Sequence, residues 1–196
     1  MNKLIVITGP DGSGKSTLMT RLRQELPVLV GASIWDPLQH LQGAGHNDIQ
    51  NYLKKLQPRS RTLFLAHALH ESLAKAQESQ APILFDSYSY KYFVMQKVMG
   101  DSDKASLLLE MPKPDLVFYL SCEPQVALAR KKNLGLSAYE SGFSNDKENQ
   151  FLKLQEQSQK FWLELLEQNP GWLVVSDDLS QENKLLFCLE RIQKIL

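Results

Sequence analysis

The chain has 196 residues, in which 22 Lys and Arg balance 22 Asp and Glu. That length suits one α/β domain with a sizeable core rather than two, and the neutral balance removes the bulk electrostatic case for a nucleic-acid or membrane-surface protein. Its two cysteines, Cys122 and Cys188, lie in apolar stretches, which suits buried thiols in a reducing cytoplasm, and no run approaches the ~18 apolar residues of a membrane span.

The first apolar run, Leu4-Ile5-Val6-Ile7, reads as a strand over 3–8. It lacks a cleavage-site pattern and so is not a signal peptide. It leads directly into Gly9-Pro10-Asp11-Gly12-Ser13-Gly14-Lys15-Ser16, followed by Thr17. This is a complete G-x-x-x-x-G-K-[ST] loop between a strand and a helix start, the setting in which backbone N–H groups can turn inward around a polyphosphate. Lys15 offers a point charge to the β/γ oxygens and the Ser16 hydroxyl is placed for Mg²⁺. The ligand so predicted is a nucleoside triphosphate, ATP with Mg²⁺.

A helix over 15–26 carries Leu18, Leu22 and Leu26 on one face, and Pro27 ends it. A strand over 28–34 and an irregular segment over 37–47 follow. A helix over 59–79 then shows the 3.6-residue pattern of Leu63, Phe64, Ala66, Leu69 and Leu73. Beyond the strand 82–86, a helix over 89–111 is broken near Gly100, and the strand 115–121 leads into a helix over 123–132. Gly135 and Gly142 mark a second irregular segment, 133–146. A helix over 147–168, with Asp146 as its N-cap and Asn169-Pro170-Gly171 as its stop, precedes the strand 171–176 and a last helix over 180–195. Short apolar runs alternating with longer amphipathic ones predict α/β architecture, a five-stranded parallel sheet flanked by helices. The two irregular segments are expected to be mobile loops that close over ligand, 133–146 as a lid.

Asp86 ends the third strand, at the sheet edge where α/β proteins bind ligands, and is a candidate to hold Mg²⁺ or orient an attacking hydroxyl. Asp11 lies beside the phosphates, where a carboxylate is unfavourable, so it is expected to point toward an acceptor hydroxyl. Arg130-Lys131-Lys132 closes a helix; these cations either complement the helix C-terminus or swing onto the γ-phosphate. His67 and His70 share a helix face without a third ligand at zinc spacing. Aromatics such as Trp35, Tyr88, Tyr90 and Tyr92 could stack on a base, although such spacings more often mark core.

Together these residues resemble the thymidylate kinase family of P-loop nucleoside monophosphate kinases. Gly9 to Thr17 is similar to the family's loop, including the acidic Asp11, and Leu63-Phe64-Leu65-Ala66 resembles the helix that bears its base-stacking phenylalanine. Asp86-Ser87-Tyr88 stands where the family has Asp-Arg-Tyr. Pro114 to Leu120, Glu123-Pro124 and Val126 to Arg130 match its fourth strand and next helix, and Phe161 to Leu165 resembles the stretch before its last strand. The resemblance implies Lys15, Asp86 and Arg130 as catalytic residues, Ser16 and Asp86 at the metal, and Asp11, Trp35, Phe64 and Tyr88 at the acceptor. It also implies a homodimer.

The departures share one character. The family's arginines that grip the acceptor's monophosphate and base correspond to Trp35 in Trp35-Asp36-Pro37, to Ala68 and to Ser87, and its lid or loop arginine to Ala138 or Gly12. Bidentate guanidinium–phosphate bonds have no equivalent in Trp, Ala or Ser, and each loss costs about 2–5 kcal/mol if nothing replaces it. Arg59, Arg61, Lys91 and Lys132 are the candidates to replace them from other directions. The expected activity is ATP-dependent phosphoryl transfer to a nucleotide or nucleoside, an uncharged nucleoside hydroxyl fitting the missing arginines. The alternative is a nucleotide-binding regulator or degenerate kinase that binds ATP without efficient transfer.

Overall fold

The computed structural model describes residues 2–36, 46–101 and 103–196. Its strands β1 (Leu4–Thr8), β2 (Val30–Ala32), β3 (Ile83–Asp86), β4 (Leu116–Leu120) and β5 (Leu173–Val175) form a five-stranded sheet in the order β2-β3-β1-β4-β5. Every pairing is parallel. Around it lie helices α1 (Lys15–Glu25), α2 (His46–Lys55), α3 (Pro58–Gln77), α4 (Tyr88–Val98), α5 (Pro124–Leu134), α6 (Lys147–Gln168) and α7 (Gln181–Gln193).

The sequence accounts for this layering. A parallel sheet is covered on both faces, so its central strands are apolar throughout rather than alternating. Leu4, Val6, Ile83, Phe85, Val117 and Tyr119 join one core with Leu65 and Leu69 of α3, Tyr92 of α4 and Trp162 of α6. Their neighbours Ile5, Ile7, Leu84, Phe118 and Leu120 join the opposite core with Leu18 and Leu22 of α1 and Leu185, Cys188 and Ile192 of α7. The register Ile7↔Asp86 and Thr8↔Tyr119 brings the carboxyl ends of β1, β3 and β4 level around the phosphate loop. β1 is where the chain's path reverses across the sheet, the crevice in which such folds bind ligands.

Several expected boundaries shift. The edge strands shrink to Val30–Ala32 and Leu173–Val175, because each has a single neighbour to pair with. The helix expected over 89–111 ends as α at Val98; Gly100 takes a left-handed φ of 96°, and the chain resumes as a 3₁₀ turn at Ala105–Glu110. Asp146 stands at the N-cap of α6, yet its carboxylate accepts from the Asn149 side chain at 2.7 Å instead of a backbone N–H. Helix α2 was not expected, although Ile49, Leu53 and Leu56 carry its apolar spacing and the first two are fully buried. The rest of the expected irregular segment, 37–45, lies outside the described residues.

Candidate active site

The loop between β1 and α1 has the shape its glycines demand. A Cβ on Gly9 would stand 2.3 Å from the Leu120 carbonyl oxygen, and one on Gly12, at φ +82°, 2.8 Å from the Ala127 backbone. Only glycine fits such approaches. Ser13 is buried beneath the loop, and Gly12, Gly14, Ser16 and Thr17 line a cleft of about 570 Å³. Lys15 is folded back over the loop, donating to the carbonyls of Gly9 at 3.0 Å and Pro10 at 2.6 Å. Burial pushes its ammonium down to about 8, with Asp11 acting to raise it and Lys91 to lower it.

Asp11 also faces the cleft and is 4% exposed. Its Oδ1 accepts from Lys91 Nζ at 2.5 Å, and its Oδ2 is buried with no hydrogen-bond partner. Burial acts to raise this carboxyl, but Lys91 and Lys15 outweigh it and hold the group below its ordinary range. Lys91 is correspondingly raised: burial lowers it, and Asp11 more than compensates.

At the end of β3, Asp86 reaches the same cleft, and its Oδ1 accepts from the Ser87 hydroxyl at 2.8 Å. The turn into α4 is strained, with left-handed φ values of 65° at Ser87 and 49° at Tyr88. The Ser87 N–H donates to Ile7 O at 2.8 Å and Thr8 Oγ1 donates to Ser87 O at 2.9 Å, which tie this turn to β1. Such strain persists only where the surroundings over-determine it. Ser16 and Asp86 are a hard-oxygen pair suited to Mg²⁺, which takes one or two protein oxygens and keeps several waters.

Arg130, from the last turns of α5, leans on the loop: it donates to Gly12 O at 3.3 Å and pairs with Asp177 at 2.9 Å. Asp177 is shared with the buried Lys184 at 3.0 Å. The adjacent Lys131 pairs with Glu140 at 2.5 Å, and both line the cleft. The segment after α5 is packed down, with Tyr139 2% exposed. The Tyr139 hydroxyl accepts from Gln96 Nε2 at 2.9 Å and its ring lies edge-on to Trp35 at 6.4 Å.

The expected acceptor residues do not all meet. Trp35 lines the cleft. Phe64 stacks edge-on with Tyr52 of α2 at 5.5 Å and is not among the lining residues. Tyr88 corrects the expectation: it is 1% exposed, packs on Phe85 and donates its hydroxyl to Pro112 O at 2.7 Å, because the kink at Ser87 turns it into the core. Of the candidate replacement cations, Lys91 alone reaches the cleft. Arg61 is buried between α3 and α4, donating to Gln96 at 2.9 Å and Met99 O at 3.3 Å. Lys132 pairs with Glu148 at the surface and Arg59 is exposed. Gln181, at the start of α7, also lines the cleft without a sequence signal to mark it, whereas Lys131 belongs to the basic run already noted.

A family model described as thymidylate kinase matches residues 7–185. A probable thymidylate kinase 1 of Saccharolobus solfataricus is 28% identical over 146 residues, covering 68% of this chain and 72% of that protein. A probable thymidylate kinase of Archaeoglobus fulgidus is 29% identical over 147 residues, covering 70% and 74%. The solved thymidylate kinase of Candida albicans superposes with a TM-score of 0.72 over 99% of this chain and 92% of its own; at 20% identity that likeness speaks for the fold. With a matching family model over nearly its whole length and the phosphate loop set at the carboxyl edge of a five-stranded parallel sheet, the chain belongs to the thymidylate kinase family of ATP-dependent nucleotide phosphotransferases.

Proposed function

We propose that this kinase transfers the γ-phosphoryl group of ATP to an acceptor that carries no phosphate of its own, a nucleoside hydroxyl. The observation that carries this is the charge state of the cleft. Among the described residues, its cations other than Lys15 already have carboxylate partners: Lys91 with Asp11, Lys131 with Glu140 and Arg130 with Asp177. The positions where the resemblance calls for acceptor arginines hold Trp35, Ala68 and Ser87, and residues 37–45 contain no lysine or arginine. An acceptor monophosphate would have to draw a further cation from its carboxylate, beyond any that the γ-phosphoryl group recruits, and an uncharged hydroxyl need not.

In this reading Lys15 leaves the loop carbonyls for the β/γ oxygens, and Ser16 and Asp86 would hold Mg²⁺, which would supply charge neutralisation for the transferring group. Asp86, oriented by Ser87, takes the acceptor's proton, Asp11 receives a second hydroxyl, Trp35 walls the acceptor side, and residues 133–146 act as the lid. Nothing in the chain favours a binder without transfer. The unpaired Cys122 and Cys188 support a cytoplasmic setting. The homodimer the resemblance implies is part of the same proposal, with sedimentation velocity as its check.

The relatives' names favour a second reading, transfer to dTMP. Incubation with γ-labelled ATP and Mg²⁺ against nucleosides and their monophosphates, with Lys15→Ala as control, separates the two. Labelled nucleoside monophosphate is expected. Labelled dTDP at ordinary rates overturns the uncharged-acceptor reading, and ATP binding with no labelled product returns the protein to the regulator class.

A further inference from the structure

We infer that Lys91 is a catalytic residue, the cation that meets the transferring phosphoryl group, with Asp11 as the counter-ion that holds it until ATP enters. The inference rests on the cleft being the kinase site. Phosphoryl transfer spreads charge over three equatorial oxygens, and catalysis depends on cations placed against them. The cleft offers Lys15, Lys91, Arg130 and Lys131 for that work. In the proposed function Lys15 serves the β/γ oxygens. Arg130 is tied to Asp177 and the Gly12 carbonyl, and Lys131 to Glu140 and the lid segment.

Lys91 is paired too, but its carboxylate partner, Asp11, stands in the phosphate loop itself. It lies one turn into α4, the helix that starts beside Asp86, yet its ammonium reaches across to the phosphate loop at Asp11, 80 residues away in sequence. Lys15 and Asp11 feel its charge directly. Its side chain is 12% exposed, its Nζ lies 5.9 Å from the centre of the Tyr92 ring, and the residue lines the cleft. Asp11 is paired through one oxygen with Lys91, its other oxygen is buried with no hydrogen-bond partner, and Lys15, bonded to the loop carbonyls, acts on it through its charge alone. Entry of a polyanion rebalances that cluster: the four-carbon stem lets Nζ turn from Asp11 to the γ-phosphoryl oxygens, and Asp11 becomes free to accept a hydroxyl. The acceptor oxygen then forms its bond to the γ-phosphorus while the bond from phosphorus to the β,γ-bridging oxygen breaks. The bond pair leaves on ADP, and the hydroxyl proton passes to Asp86.

The test is a single-turnover transfer assay with γ-labelled ATP, using thymidine or dTMP, whichever the unmodified protein labels, or release of phosphate to water if it labels neither. Lys91→Met is expected to slow transfer by about 10²-fold or more, the scale of losing one transition-state donor. ATP affinity, measured by titration, falls by much less than the rate of transfer, and Lys91→Arg recovers most of the rate because the cation is retained. Since Lys91→Met leaves Asp11 buried and unpaired, Asp11→Asn is also compared with Asp11→Asn/Lys91→Met, and the same fall is expected between them. An unchanged rate in Lys91→Met overturns the inference. So does a fall matched by an equal loss of ATP affinity with no recovery in Lys91→Arg, which marks a structural role. If the unmodified protein labels dTMP and not thymidine, the uncharged-acceptor reading fails and the Lys91 comparison is still decided on dTMP. Absence of any turnover overturns both.

Discussion

Lys15 shows how burial adjusts a phosphate-binding group. Its ammonium is held down to about 8 by desolvation in the cleft, whereas bound polyphosphate favours the charged form and raises it. Below pH 8 the lysine is charged in both states and this contribution to ATP affinity is flat. Above pH 8 binding must take up a proton, so affinity falls by up to about tenfold per pH unit. Isothermal titration between pH 7 and 9.5 is expected to show that fall, and Lys15→Ala to lack it. Arg61 shows the opposite use of a cation. Although it was a candidate for the acceptor, it spends its donors on Gln96 and Met99 O and lies over Phe143 at 5.8 Å. Arg61→Met is therefore expected to cost about 2–3 kcal/mol in urea unfolding, the scale of lost charged hydrogen bonds, and to leave the acceptor KM unchanged.

Two irregular connections carry most of the site. The phosphate loop works because Gly12 sits at φ +82° against the backbone of Ala127 in α5. Gly12→Ala is expected to push the loop off α5 and lower ATP affinity at least tenfold while far-ultraviolet circular dichroism stays unchanged, since the sheet does not depend on that contact. Beside the Lys131–Glu140 pair, the segment after α5 is anchored by Tyr139. The Tyr139 ring lies among Trp35, Tyr92 and Phe143, its hydroxyl on Gln96 and its backbone N–H on Gln50. Tyr139→Ala removes a buried aromatic and is expected to destabilise by about 3 kcal/mol. Faster hydrogen exchange over 135–146 and in the facing turns of α2 would register the lost anchor.

For the whole molecule, a cleft lined from the end of β3, the phosphate loop and helices α1, α4 and α5 couples ligand to both cores. ATP at about a hundred times its Kd stabilises by about 2.7 kcal/mol through mass action, which at this size raises Tm by roughly 5–11 °C. Differential scanning fluorimetry checks this, with Lys15→Ala expected to show little shift. The architecture was legible in the sequence because parallel strands buried on both faces read as unbroken apolar runs, and because a glycine-rich loop leaves a local signature. Helix α2 is hidden in the sequence because its apolar positions follow a glycine-rich stretch, and the edge strands are shorter than their apolar runs because pairing depends on neighbours that local pattern does not show. Within the site, the sequence by itself determined the donor half: Gly9 to Ser16 are contiguous, so their geometry follows from local backbone chemistry. The surroundings of that loop were decided by tertiary structure. Lys91 meets Asp11 across 80 residues, Lys131 meets Glu140, Tyr88 turns inward and Arg61 is captured by Gln96. Which charges neutralise one another depends on through-space distance and burial, and neither is written in the order of residues along the chain.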